Sequence, residues 1–482
     1  MYGQMINWAS AGNSDYFRQD LSALANLNKA LVAGDDQNPP SSVVAGDAFA
    51  LRRESLEPVL VVTTFTMRHL RLYQLFPKSQ AMNTVEEYVQ LQSYGNIDGG
   101  LTFDEGGLPI EIDSTYERKF MTIRQMGIVG RVTDIATMTA NAFGSAIARE
   151  TANKTAHFLR NLQELMYFGD SDLDPGQVDG LQHYIENDAG SDHIVDMRGA
   201  PLTQEACVDG ALTIAAAESY GYPTHLFASM EAVSDLSKGF FPAARYPLGG
   251  GAQGNGMGMI IDHYTSPGGD VAVESDVFLG REPHIPVSAV TAQGEVSNRP
   301  GSPTISVAVS AGANANSQFV ASDAGSYFYH VVAVNRSGNS APVAANVAAV
   351  AVVAGDRVTF TIAQGPGVLA RYFKIYRSKA DAATGTSMLI KKVAAAASGA
   401  VTAIIDDNED MPGTTKAFLI QLDSSNLEWK QLSPMTRIPL AQIDTSIRWA
   451  QTMYGNLMCK TPKHNLMFKN IGRADGSFGP GA

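Results

Sequence analysis

The chain has 482 residues, enough for two to four domains of about 100–200 residues each. Hydrophobic residues make up 45% and charged residues 17%, the profile of a folded protein with large cores and not of a disordered chain. A net charge of −13 repels nucleic acid and argues against sequence-specific DNA binding.

Basic residues gather only locally, at Arg52–Arg53 and from Arg68 to Arg71, where solvation or ion pairing is the ordinary fate. Cys207 and Cys459 lie far apart in apolar settings and read as buried free thiols. There is no Cys-x-x-Cys, so a cysteine zinc site is out, and no disulfide framework is needed, which fits assembly in a reducing cytoplasm. Met1 to Asp20 lacks a basic segment followed by an apolar run, and stretches such as Val347–Ala354 are too short to span a bilayer. The expectation is a soluble protein made in the cytoplasm.

Residues 1–55 are polar, with Asn38-Pro39-Pro40-Ser41-Ser42 in their second half. Such a segment is either disordered or an arm that folds against a neighbour. Within it, Phe17, Leu21, Leu24 and Leu27 give Tyr16–Val32 a helical pattern. Leu56–Phe76 begins β-branched and closes at Pro77, an extended stretch joined to a short helix. Thr84–Gly130 reads as a long hairpin: strand character over Thr84–Tyr94, a glycine-rich tip, and a returning strand over Ile112–Val129 with Tyr116, Phe120, Ile123 and Ile128. Two strands without a third layer are marginal alone, so the hairpin is expected to lie on something else. Asp134–Phe168 is the strongest helix, capped by Thr133 or Asp134 and stopped by Gly169. Phe143, Ile147, Thr151, Lys154, Phe158, Leu162 and Leu165 or Met166 form its apolar stripe, and the full span predicts a length of about 50 Å. Beyond the following tight loop come a helix over Leu202–Tyr220, a buried strand over Pro223–Ala228, a helix over Met230–Lys238 capped by Ser229, and a glycine-rich loop over Leu248–Met259.

Near Pro283 the composition shifts. Short strands separated by turn signals are predicted at Thr304–Val309, Gly325–Asn335, Arg357–Ile362, Tyr372–Arg377, Met388–Val393 and Val401–Asp406, the pattern of a β-sandwich. From Ala417 the earlier pattern resumes, with a strand at Phe418–Ile420, a stretch Trp429–Arg437 leading into Ile438-Pro439-Leu440, a stretch Thr445–Met453 carrying Ile447 and Trp449, and a final strand ended by Cys459 and His464–Phe468. A β-domain is therefore expected inside one continuous host of class α+β.

Chemistry-bearing motifs are weak. Asp170-x-Asp172-x-Asp174 starts like a calcium loop, but Pro175 stands where glycine is needed and Leu181 where a bidentate glutamate is needed. Gly254-x-Gly256-x-Gly258 lacks the strand–helix frame of a dinucleotide site. His225 and His330 lie in apolar strands and read as core residues with satisfied ring nitrogens. Glu86–Glu87 and Glu409–Asp410 read as solvated acids. No catalytic residue, cofactor-binding residue, metal ligand or cofactor is assigned.

The order polar arm, hairpin 84–128 and helix 134–168 resembles the major capsid proteins of tailed bacteriophages with the Hong-Kong-97-type fold. Phe168-Gly169-Asp170 with Asp179-Gly180-Leu181 is similar to the loop after that family's spine helix. Gly221-Tyr222-Pro223-Thr224-His225-Leu226 with Ser229 is similar to its axial domain, and Tyr454-Gly455-Asn456-Leu457 with Lys463–Gly472 to its closing strand. Tyr327–Asn335 followed by Gly338 and Ser340-Ala341-Pro342, together with Tyr372–Arg377 and Asp406–Thr414, resembles immunoglobulin-like or fibronectin type III modules. The resemblance implies an N-terminal arm over 1–80, an extended hairpin loop and peripheral strand over 81–130, and a spine helix with its loop over 131–201. It implies an axial domain over 202–285, an inserted immunoglobulin-like domain over 286–416, and a return to the axial and peripheral domains over 417–482.

The function so implied is a structural shell subunit forming pentamers and hexamers around packaged double-stranded DNA, with portal, scaffold or decoration proteins as further partners, no membrane partner, and the inserted domain facing outward on the virion. Some shells of this family crosslink a hairpin lysine; the tip 95–109 has none, and Lys119 on the returning strand reads as an ordinary surface residue. Two other readings stay open: an encapsulin-like nanocompartment shell, told apart by its cargo, and a glycan-active enzyme with an accessory β-sandwich, told apart by turnover.

Overall fold

The computed structural model describes residues 65, 69–95, 102–108, 111–139, 145–216, 219–240, 261–312, 314–346, 348–397 and 400–475. The arm 1–55 with its helical pattern, most of the 56–68 stretch and the glycine-rich loop 248–259 lie outside these residues.

A short helix, α1 (Arg71–Leu75), ends at Phe76, and β1 (Lys78–Gln80) follows. β2 (Val85–Ser93) and β3 (Thr115–Thr122) form the antiparallel hairpin, with Val85 opposite Thr122 and Leu91 opposite Tyr116. The returning strand is not continuous as the sequence predicts. It breaks at Ile123, whose amide donates to the Thr84 carbonyl, and β4 (Arg124–Thr133) then leaves the hairpin to pair with Ser446–Cys459. Asn456 fixes the switch by donating to the Thr122 carbonyl from 334 positions away.

The helix expected over Asp134–Phe168 is also interrupted. α2 (Asp134–Met138) stops at Thr139, which is extended, and α3 (Ala146–Phe168) is the long helix. The Thr137 and Thr139 hydroxyls bond back to the Asp134 and Ala136 carbonyls, the local competition that makes threonine a poor helix interior residue. Twenty-three residues give a length of about 34 Å. The buried stripe of α3 is Phe158, Leu162, Gln163, Met166 and Tyr167, all in its C-terminal half. Gly169 ends it as expected: its amide donates to the Leu165 carbonyl, and a Cβ there would stand 2.2 Å from the Val178 carbonyl oxygen.

α4 (Leu181–Tyr184) and β5 (Ile194–Asp196) precede α5 (Gln204–Ala215), whose N-cap Thr203 accepts from the Ala206 amide. β6 (His225–Ala228), α6 (Met230–Phe240), β7 (His263–Ser266), β8 (Gly269–Ser275) and α7 (Val277–Arg281) complete the first pass through the α/β body.

The next ten strands pair only among themselves. They are β9 (Thr304–Ser310), β10 (Gly325–Tyr327), β11 (Tyr329–Asn335), β12 (Gly338–Asn339), β13 (Val343–Ala344), β14 (Val350–Val352), β15 (Arg357–Ala363), β16 (Tyr372–Arg377), β17 (Met388–Ala394) and β18 (Val401–Asp406). One sheet runs β12-β11-β16-β17 with β13 also on β11, a second runs β18-β15-β9, and β10 pairs with β14. Strict alternation puts Val358, Phe360 and Ile362 of β15 inward, where they meet Tyr329, Val331, Phe373 and Ile375 of the facing sheet. Inside this sandwich Arg377 is fully buried, pairing with Asp406 at 2.7 Å and donating to Asn408, while Tyr329 also donates to Asp406.

β19 (Thr415–Ile420), β20 (Leu427–Pro439), β21 (Ser446–Cys459) and β22 (Asn465–Ile471) then return to the body. A six-stranded sheet runs β5-β22-β19-β6-β8-β7, so strands on both sides of the sandwich segment interleave, with Phe418 opposite Phe227. A four-stranded sheet runs β1-β20-β21-β4. The body holds two large apolar clusters, one joining α3 to Trp429, Met453 and Phe418, the other joining α5 and α6 to Leu226, Leu419 and Phe468.

Candidate functional site

The Asp170–Asp174 loop does not converge as a calcium loop would. Asp170 accepts from the Asp172 amide at 2.8 Å and pairs with His183 at 3.0 Å. Asp174 is turned away and holds Arg336 of the sandwich. Asp170, Asp172 and His183 come together, with ligand atoms within 4.8 Å of one another, the one such group among the described residues. The sequence reading missed His183, thirteen positions beyond Asp170. The Asp170 hydrogen bond raises the His183 pKa, burial works against it, and the Asp179, Asp170 and Asp172 charges add to the rise.

The other sequence candidates are individually accounted for. Gly254, Gly256 and Gly258 lie outside the described residues. His225 pairs with the Thr224 hydroxyl at 2.8 Å and stacks on Phe227, and His330 sits between Ser387 and Thr384. Glu86 accepts from the Met82 and Asn83 amides, and Glu87 pairs with Arg118. Glu409 lies between Lys391 and Lys469. Lys119 pairs with Asp188 at 3.5 Å, Arg71 with Glu274 at 2.7 Å. Both cysteines are buried and free, and burial pushes the Cys207 thiol up to about 12. Among the described residues no helix is long and apolar enough to cross a membrane.

Among the described residues, the hairpin has one face that no other element covers. Successive side chains of a strand point to opposite faces. One face of the β2–β3 pair carries Tyr88, Gln90, Lys119 and Met121, and this face touches the body. Tyr88 donates to the Cys459 carbonyl, Gln90 to the Lys460 carbonyl, and Met121 packs with Ala81, Ile123 and Met458. The register puts Val85, Val89, Leu91, Tyr116 and Phe120 together on the other face. That face is bare: Val89 is 63%, Tyr116 67% and Phe120 72% exposed. Tyr94, Phe103 and Leu108 of the connecting loop are exposed as well. The same face carries the exposed Glu87–Arg118 ion pair between these apolar residues, so it is a mixed surface of large apolar side chains around one charged pair. Such exposed apolar groups mark an interaction surface or an aggregation liability, and covering a side chain of this size is worth roughly 1.5–3 kcal/mol.

No family model matches the chain. It is similar over nearly its whole length to curated phage proteins. A putative major capsid protein of Enterococcus phage phiEF24C is 25% identical over 468 residues, 94% of this chain and 96% of the relative. A major capsid protein of Staphylococcus phage S25-3 is 23% identical over 478 residues, 95% of this chain and 96% of the relative. Among solved structures, the capsid of a native GTA particle superposes with a TM-score of 0.45 at 9% identity, covering 90% of this chain and all of that one. An encapsulin from Synechococcus elongatus PCC 7942 superposes with a TM-score of 0.42 at 8% identity, covering 88% and 95%.

Proposed function

We infer that this chain is the major capsid protein of a tailed bacteriophage, a structural subunit of an icosahedral shell. The single observation that carries the inference is the alignment to phage major capsid proteins over 94% of this chain and 96% of the relative. A match of that extent includes the hairpin, the long helix, the β-sandwich and the returning strands together. The geometry agrees with it: the bare face Val85, Val89, Leu91, Tyr116 and Phe120 fits a second copy of the same chain, because a shell repeats every contact by symmetry and such a face is buried once per neighbour.

The finer picture has pentamers and hexamers of the chain enclosing double-stranded DNA, bound without sequence specificity. The sandwich is read as an inserted immunoglobulin-like domain facing outward, and the chain as non-enzymatic. Negative-stain microscopy of the expressed full-length chain tests the reading. Closed shells or capsomer rings are the expected result; monomers at every salt, pH and concentration tried would overturn it. Nucleic acid in particles purified from infected cells is expected, whereas an enzyme cargo in its place points to a nanocompartment.

A further inference from the structure

We propose that the β-sandwich is seated on the α/β body by a ring of ion pairs instead of a shared apolar core, so that salt unseats it while both cores stay folded. None of the apolar clusters among the described residues mixes side chains of the sandwich strands with those of the body. The two body clusters draw only on residues up to Leu279 and from Ala417 onward, and the sandwich cluster only on residues between Ile305 and Ile404. A small fifth cluster joins Val287 and Val290 of the entry segment to Val332 and Tyr376, which ties that segment to the sandwich side.

Charge fills the place where a core would be. Asp174, in the loop after α3, receives Arg336 through both oxygens at 2.8 and 2.9 Å, with Arg371 at 3.6 Å. Glu282, at the end of α7, takes Lys374 on one oxygen and Lys392 on the other, at 2.5 and 2.6 Å. Burial alone would raise the Glu282 carboxyl, but the two ammonium groups hold it well below the usual carboxylate range. Arg198 of the body donates to the Gln318 side chain and carbonyl and to the Asn408 carbonyl. Lys469 of β22 reaches Glu409 at 3.3 Å. Between these clasps lies a cavity of about 420 Å³, bordered by Asp170, His183, Glu282, Lys392, Glu409 and Lys469. Phe168 and Ile194 of the body and Leu389 and Ile390 of the sandwich line the same cavity without closing it.

Two consequences follow from physical chemistry. Unlike an apolar joint, the exposed ion pairs of this one, Arg336 and Arg371 on Asp174 and Lys469 on Glu409, weaken as the Debye length falls from about 10 Å at 0.1 M salt to about 3 Å at 1 M, while the more enclosed Glu282 pairs are screened less. Losing one partner of an enclosed pair also leaves its mate uncompensated, so Glu282→Gln, which strands Lys374 and Lys392, acts more strongly than Asp174→Asn, whose arginines stand about half in water. The seat belongs to the single chain and holds whether or not the chain builds shells.

Hydrogen exchange of the full-length chain, read by mass spectrometry at 0.05 and 1 M NaCl, tests it. Peptides covering 170–178 and 407–414 are expected to exchange at least tenfold faster at 1 M, while peptides from β15 and from the C-terminal half of α3 hold their protection. The Asp174→Asn, Glu282→Gln double variant is expected to show the fast pattern already at 0.05 M. Seam exchange that is indifferent to salt in the unaltered chain, or that rises only together with exchange of both cores, overturns the proposal.

Discussion

A tryptophan in the four-stranded sheet is held by a glycine standing across from it. Gly130 of β4 lies directly opposite Trp449 of β21, and a Cβ on Gly130 would fall 2.5 Å from the indole ring. The ring is fully buried and the Arg437 guanidinium lies over it, 4.7 Å from its centroid, so it has little room to shift. Gly130→Ala should therefore cost about 1–3 kcal/mol, the usual range for overpacking a closed core. Gly239→Ala, in α6 with nothing within 4 Å of the added carbon, should be neutral or stabilise by up to about 1 kcal/mol. Urea unfolding of the two variants checks the contrast. His183 makes a second prediction at this scale. Its folded pKa is raised, chiefly by the Asp170 hydrogen bond, so its contribution is fully present below the unfolded value of about 6.5 and is lost as pH rises through the folded value. The difference in Tm between the unaltered chain and His183→Gln should shrink steadily from pH 6 to pH 8.5. A difference that stays constant across that range would show that the ring acts through packing alone.

The elements show why some of this fold was legible in the sequence and some was not. β16 and β18 run over the predicted residues, Tyr372–Arg377 and Val401–Asp406, because alternation between a buried and an open face is a local signal. The short strands β12, β13 and β14 went unread, since two or three residues cannot display a period. The helix was overextended because apolar spacing continues through 134–145 while its threonines spend their hydroxyls on nearby carbonyls. The break at Ile123 was invisible because it depends on a strand more than three hundred residues away. Of the candidate site, the hairpin was read, yet which of its faces would be bare follows only from the register and from what the body covers. That face carries the prediction belonging to this scale. Val89→Ser with Phe120→Ser removes apolar surface that is mostly exposed and belongs to none of the apolar clusters among the described residues, so the stability of the monomer should change by no more than about 1 kcal/mol, as for ordinary surface changes. Assembly should fall sharply, because each side chain is worth roughly 1.5–3 kcal/mol when covered and every subunit repeats the loss. Sedimentation analysis would separate the two effects, and unimpaired shells from the double variant would remove this face from the assembly contacts.

At the scale of the whole molecule, the path of the chain separates the sandwich from the body more cleanly than length would suggest. The entry and exit of the segment meet: His284 donates through Nε2 to the Gly413 carbonyl at 3.1 Å. Segments whose ends lie side by side are the ones that can be inserted into a host, or removed, without displacing its strands. β19 follows two residues after Gly413 and already pairs with β6 and β22, so the strand pairing of the six-stranded sheet does not depend on the sandwich, which meets it only through side chains such as Asn470 and Lys469. Replacing residues 287–412 by a short Gly-Ser linker should then leave a folded body with a cooperative thermal transition. The excision takes Arg336, Arg371, Lys374 and Lys392 away from Asp174 and Glu282, but it also opens those carboxylates to water, so neither is left as a buried unpaired charge. The excised segment, with its own core around Phe360, Phe373 and Tyr329, should fold alone. Circular dichroism and thermal melts of the two fragments decide the matter. An insoluble body, or a sandwich without a cooperative melt, would mean that the seam supplies more than orientation, and that the two parts fold as one unit.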